Sequence, residues 1–492
     1  MKRLFLTTSL LFAATLAAGY AHAVGEAATT HGDHAKQTRR AAMARSAATQ
    51  NTGTATQNAG TAAQRAGALP PVVRVSAEGT DAAEPNIAAA KDGSVFVVWV
   101  EHGADGGADV RLARFAADGR RPGATPARVN PKAGQALSWR GDAPTVAVAP
   151  DGGTVYVGWM GRDKTVAAAS PADAASLQLS ASRDGGRTFT PPVKVNDAPR
   201  LAAHGMHSLT VAEDGRVHIA WLDERGHVPP PAHADAKGKT SGHHEEPNRQ
   251  VYTAYSADGG RTFSPNRLVA RDACPCCKTS LAAAKGGRVY VSWRQVLAGD
   301  FRHIAVSASA DGGQTFAAPV VVSDDRWMLN GCPVSGASLA VGDDGALAVA
   351  WYTAGAAGAP GIYWSQSRDG GQTFAARRAV AQGKAQGTPT LLVEDDGAYV
   401  VWESREGGTA RPASARLERN SGGDGGRVPD VKPLAEGGEL PSATTMGDGR
   451  LCVAYVSKRG DRRAVNLVRT GRRDGRASTA GARRSQPSRA AN

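Results

Sequence analysis

The chain has 492 residues, with 58 Lys and Arg against 45 Asp and Glu and a formal net charge of +13. Most of that charge sits at the ends: the tail 471–492 carries six Arg against one Asp, residues 24–69 carry five bases against two acids, and Lys2 and Arg3 open the chain. The body from 70 to 470 keeps only about +3, which argues against a basic nucleic-acid-binding face and leaves no specific nucleic-acid partner expected.

In chain order, "MKRLFLTTSLLFAATLAAGYAHA" (1–23) has the charged start, apolar middle and small-residue cleavage site of a secretory signal, so an exported protein, periplasmic or secreted, is expected. No cysteine follows the apolar run to accept a lipid, and no later stretch reaches the roughly 20 apolar residues of a membrane span. Residues 24–69 are rich in Ala, Thr, Gln and Gly and poor in large apolar side chains; they read as a disordered leader, and 471–492 as a disordered basic tail. Between them lies one domain, 70–470, which reads as a monomer.

That domain is a repeat. "DGSVFVVW" ends at Trp99, "DGGTVYVGW" at Trp159, "DGRVHIAW" at Trp221, "GGRVYVSW" at Trp293, "DGALAVAW" at Trp351, "DGAYVVW" at Trp402 and "DGRLCVAY" at Tyr455. Each copy follows a short apolar segment, so each reads as strand, Asp-Gly or Gly-Gly turn, strand. The helical period is absent from the body, which makes the fold class all-β.

A second motif recurs as "SRDGGRTF" (182–189), "SADGGRTF" (256–263), "SADGGQTF" (309–316) and "SRDGGQTF" (367–374). It resembles the Asp-box, or bacterial neuraminidase repeat, of the sialidase-like β-propeller superfamily. The resemblance implies a single propeller of four-stranded blades, with each box a structural turn between the third and fourth strands. Asp184, Asp258, Asp311 and Asp369 would then bond turn amides while the paired glycines supply positive φ. Seven hairpins favour seven blades, with six as the alternative. The last unit runs into the tail one strand short, and "PPVVRVS" (70–76) resembles the fourth strands at 191–197 and 318–324, so the N-terminal strand should complete the last blade.

The irregular loops all fall on one face of such a propeller, and "RDACPCCKTS" (271–280) is the most unusual of them. Aligning Leu281 with Leu339 sets Cys274-Pro275 on Cys332-Pro333, and the preceding blade offers His204, Met206 and His207 at the same place. Two readings stay open. In an oxidising compartment Cys274 and Cys332 can pair as a disulfide between neighbouring blades. Alternatively, Cys274, Cys276, Cys277 and Cys332, with His204, Met206 and His207, form a soft-metal site for copper or zinc. A third outcome is one disulfide with a smaller site, or a redox role for the adjacent Cys276 and Cys277, while Cys452, on a hairpin strand, reads as a small buried apolar residue.

The sialidase resemblance also implies glycoside hydrolysis, but the R-I-P motif of that family is missing: the first unit reads "EPNIAAAKDGSVFVVW". No catalytic residue can therefore be carried over. Arg140, Arg271, Arg294, Arg302 and Arg326 lie in loop-face segments and are candidates for binding an anionic ligand. The reading is thus an exported propeller that binds a small ligand, a metal ion or an envelope protein through its loop face, with a sialidase-like hydrolase or an interaction scaffold as alternatives.

Overall fold

The computed structural model describes residues 69–471, apart from 105, 122, 124, 140, 163–174, 199–203, 226–247, 330, 332 and 419–428. The secretory segment, nearly all of the leader and tail, and two of the candidate site residues, Arg140 and Cys332, lie outside the described residues.

Alternating apolar side chains and Asp-Gly turns produce antiparallel strands throughout, and among the described residues the one helical element is a 3-10 turn at Lys285–Gly287. No helix among them is long and apolar enough to cross a membrane. The strands group into four-stranded sets. The first comprises Asp81–Ala89, Val95–His102, Ala108–Phe115 and Ala127–Arg128. The others follow over 145–194, 204–273, 280–321, 337–382 and 385–433. The third and fourth sets join into one eight-stranded sheet through the single pair Ala273↔Gln295.

The last set takes three strands from 439–469 and its fourth from the other end of the chain. Val72–Arg74 pairs antiparallel with Arg462–Arg469, Val72 opposite Val468, as the sequence led us to expect. Val75 is fully buried at this seam, and its N–H donates to the Val465 carbonyl at 2.8 Å.

The first strands of successive sets lie against one another, and the strand at 439–445 lies against that at 81–89, so the inner strands close a ring. Short polar side chains tie neighbouring inner strands together. The Val146 N–H donates to Asn86 Oδ1, that of Leu339 to Ser280 Oγ, and that of Leu391 to Ser338 Oγ, each at 3.0 Å. Each bond satisfies a backbone donor that an inner strand facing the axis would otherwise leave unpaired.

Cores form between sets rather than within them. Trp99, Trp159, Trp221, Trp293 and Trp351 are fully buried, and Trp402 and Tyr455 nearly so, each packed among strands of two neighbouring sets. The four Asp boxes occupy the turns between third and fourth strands. In the second of them, Asp258 accepts from Ser256 Oγ, Thr262 Oγ1 and the N–H groups of Arg261 and Thr262 at 2.6–3.0 Å. The Thr262 hydroxyl above all holds the Asp258 carboxyl far below the usual range, and Asp311 and Asp369 are held down by Thr315 and Thr373 in the same way. In Asp184, burial pulls the other way but is outweighed by the Thr188 and Ser182 hydrogen bonds. In the first two boxes the second glycine, Gly186 or Gly260, has a packing reason as well as a positive φ. A Cβ on Gly260 would stand 2.7 Å from Leu179 of the preceding set.

A further regularity aims side chains at the loop face. The first strands carry a bulge at Ala83/Asn86, Gly205/Ser208, Gln386/Thr390 and Glu439/Ser442. Within three of these bulges a non-glycine residue takes positive φ: Glu84 at 51°, Met206 at 56° and Leu440 at 53°. A bulge turns its residue out of the ladder and re-aims the side chain.

Candidate functional site

Ala273 is the last residue of the third set, and Ser280 is the first of the fourth, so the chain must cross between sets in the six residues 274–279. Pro275 fixes φ at the second position of a turn, which closes with the Cys277 N–H on the Cys274 carbonyl at 3.4 Å. The first and last side chains of such a turn meet, and Sγ of Cys277 lies 3.3 Å from Sγ of Cys274. All three cysteine sulfurs, those of Cys274, Cys276 and Cys277, fall within 4.8 Å of one another and are buried.

The three are not equivalent. Cys274 and Cys277 carry free thiols, as does Cys452, whereas Cys276 is disulfide-bonded. The expected Cys274–Cys332 disulfide is therefore corrected. The side chain of Cys274 is turned to Cys277, and Cys276 is the cysteine of this turn that is oxidised. The remaining cysteine of the chain, Cys332, lies outside the described residues.

Two guanidinium groups surround Cys274. Arg302 Nη1 is 3.4 Å from its sulfur, and Arg302 Nε donates to the Leu329 carbonyl. Arg294 is fully buried beside the Trp327 ring, its charge 4.6 Å from the ring centroid. It donates to the carbonyls of Ser335, Arg302 and Tyr352 at 2.9–3.2 Å. The position after the repeat Trp holds Val100, Met160, Leu222, Tyr352 or Val456 in other sets, so Arg294 puts a cation where most sets place an uncharged side chain.

The thiols respond in opposite directions. The hydrogen bond from Cys277 above all, helped by Arg294 and Arg302 against the cost of burial, brings the Cys274 thiol down from 9.0 to about 6. Burial first, then the neighbouring Cys274, pushes Cys277 well above 9.0. Cys452 is isolated on its strand, and burial raises it to about 11, in keeping with a packing role.

Met206 joins the sector, as the sequence alignment of sets placed it. It belongs to the same buried cluster as the three cysteines, and its carbonyl accepts from the N–H and hydroxyl of Thr279 at 3.0 and 2.9 Å. The two histidines do not join it. His207 Nδ1 lies 3.0 Å from Asp142 Oδ1 and Nε2 lies 3.0 Å from the Gly158 carbonyl, so both ring nitrogens are occupied away from the sulfurs. His204 Nδ1 stands 3.1 Å from Asp223 Oδ2, and that carboxylate also accepts from Trp221 Nε1 and Arg225. Burial raises Asp142, but His207 and then Lys278 outweigh it and hold the carboxyl low. These carboxylate partners carry no repeat or spacing signal in the sequence, which is why the histidines looked available.

The five arginines proposed for an anion do not gather into one clamp. Arg294 and Arg302 are buried with their N–H groups largely on carbonyls, Arg271 and Arg326 are exposed, and Arg140 is outside the described residues. The signal that could have sharpened the sequence reading is the C-x-x-C spacing of Cys274 and Cys277 around Pro275. The adjacent Cys276–Cys277 pair obscured it.

Ring-closed four-stranded sets define a β-propeller. Solved structures with this architecture resemble the chain. The BP39L lectin from Burkholderia pseudomallei matches with 13% identity and a TM-score of 0.52, covering 80% of this chain and 99% of the lectin. A Hadza microbial sialidase matches with 16% identity and a TM-score of 0.45, over 66% of this chain and 63% of its own length. The leech intramolecular trans-sialidase matches with 12% identity and a TM-score of 0.44, covering 84% and 95%. Likeness at these identities concerns the fold alone. No family model matches the chain, and no curated protein matches it.

Proposed function

We propose that this is an exported β-propeller that binds a soft metal ion, copper(I), through Cys274 and Cys277 with Met206 as a third donor. The observation that carries the reading is a pair of free thiols 3.3 Å apart, buried in one cluster with a thioether. Thiolate and thioether sulfur suit monovalent copper. Arg302 and Arg294 favour the thiolate form that any such metal requires. Zinc fits less well, because it asks for four ligands in a closed site. Here Cys276 is already bonded and His204 and His207 face carboxylates.

The test is copper content after purification without a His tag and without oxygen. About one copper per chain is expected, lost in Cys274→Ser and in Cys277→Ser, reduced in Met206→Leu and unchanged in Cys452→Ser. Copper content unaffected by the first two substitutions overturns the reading.

The opposite acidities of the two thiols favour a second reading, dithiol exchange with a partner disulfide, in which Cys274 attacks and Cys277 resolves. In that case Cys277→Ser accumulates a mixed disulfide on Cys274; if none accumulates, the second reading fails.

A further inference from the structure

Away from the cysteines, the first set and the loop after it bring together three residues far apart in sequence. Glu84 sits in the bulge of the inner strand with φ 51° and a side chain only 2% exposed. His102 ends the repeat-Trp strand, and its Nε2 lies 2.9 Å from Glu84 Oε2. On the other side of the ring, Nδ1 lies 3.4 Å from the Ser138 hydroxyl. Ser138 is half-buried on the loop leading into the second set, immediately before Trp139, whose indole is 49% exposed.

We infer that Ser138, His102 and Glu84 form a hydrolytic triad that cleaves small esters at the loop face. The order is hydroxyl, imidazole, carboxylate, with the nucleophile at Nδ1 and the carboxylate at Nε2. The tautomer with its proton on Nε2 donates to Glu84 and leaves the Nδ1 lone pair facing Ser138. A nucleophile–base separation of 3.4 Å is loose but ordinary for a site without substrate. Glu84 is itself fixed from outside: Arg463 Nη1 stands 3.7 Å from Oε1, and Arg463 is held in turn by Asp81 at 2.6 Å. The strained backbone at Glu84 is what aims its carboxylate at the imidazole, and strain of that kind persists where the surroundings enforce it.

The reaction balances without a cofactor. As Ser138 Oγ attacks the ester carbonyl carbon, its proton passes to His102 Nδ1. The carbonyl C–O bond to the alcohol breaks, and the alcohol leaves with that proton. Water then gives a proton to Nδ1 and attacks the acyl carbon; the bond to Ser138 Oγ breaks, Nδ1 returns that proton to Oγ, and the acid leaves. Trp139 beside the nucleophile offers a flat apolar surface, so the substrate class is a small ester with an aryl or other flat group. Its three residues are distinct from the proposed copper ligands, and the inference does not depend on the copper reading.

The test uses the full chain with a fluorophosphonate probe and p-nitrophenyl acetate and butyrate. Labelling mapped by mass spectrometry to Ser138 is expected. Ser138→Ala should lower the ester hydrolysis rate by roughly 100-fold or more, and Cys452→Ser should leave it unchanged. Glu84, a positioning residue, should show a fall in kcat of at least about tenfold in Glu84→Gln with KM unchanged, partly recovered in Glu84→Asp. Absence of label on Ser138 in the unmodified chain, or an unchanged rate in Ser138→Ala, overturns the inference; the first result needs no variant to fold.

Discussion

The acidity of Cys274 makes its contribution to stability depend on pH, and substituting Cys274→Ser isolates it. The folded thiol titrates at about 6 against an ordinary 9.0, chiefly because Cys277 donates to it, with Arg294 and Arg302 adding their charge. The unfolded chain therefore holds a proton that the folded chain has given up between those two values, and stability rises with pH across that window. The contribution is complete above pH 9 and gone below pH 6. One pH unit of difference corresponds to about 1.4 kcal/mol, so linkage gives roughly 2 kcal/mol at pH 7.5 and a gain of about 3 kcal/mol between pH 6.0 and 8.5. Cys277, raised well above 9.0, adds nothing in that range. Urea unfolding of metal-free, non-reduced protein in oxygen-free buffer, with and without Cys274→Ser, measures the difference. The gap between the two should widen by about 2–3 kcal/mol from pH 6.0 to 8.5. A gap that stays constant with pH would refute the claim that Cys274 is a thiolate in the folded protein.

Two further outcomes follow from the fold. Asp258→Ala removes four hydrogen bonds from one Asp-box turn; with charged-acceptor bonds at stake it should cost about 2–3 kcal/mol in urea unfolding, and no loss would mean the box is ornamental. Deleting residues 1–76 removes the strand that closes the last set, including the fully buried Val75. The shortened chain should lose its single cooperative thermal transition, and one as sharp and as high as that of the full chain would show the ring does not depend on that seam.

How much of this was legible in the sequence varies with the range of the interaction involved. The repeat Trp residues, the Asp-Gly turns and the four Asp boxes act over fewer than ten residues, and a period-two pattern with turn glycines leaves an antiparallel four-stranded unit as the way to bury those indoles. The closing strand at 72–74 was legible too, because it copies the fourth strands of other sets. The cysteine turn was legible in part: Pro275 and the C-x-x-C spacing are local, and they bring Cys274 onto Cys277 whatever lies around them.

What only the tertiary structure decided are the partners brought together from distant parts of the chain. His207 meets Asp142 from 65 residues away, His204 meets Asp223 across a strand pair, and Arg302 reaches Cys274 from the third strand of its own set. Ser138, His102 and Glu84 converge because a strand bulge and a connecting loop share one face. None of these pairings leaves a spacing in the chain, since the ring sets which residues face one another. The sequence alone determined a propeller with a sulfur-rich turn. The packing of neighbouring sets decided which of those sulfurs are free, which histidines are spent on carboxylates, and which hydroxyl stands beside an imidazole.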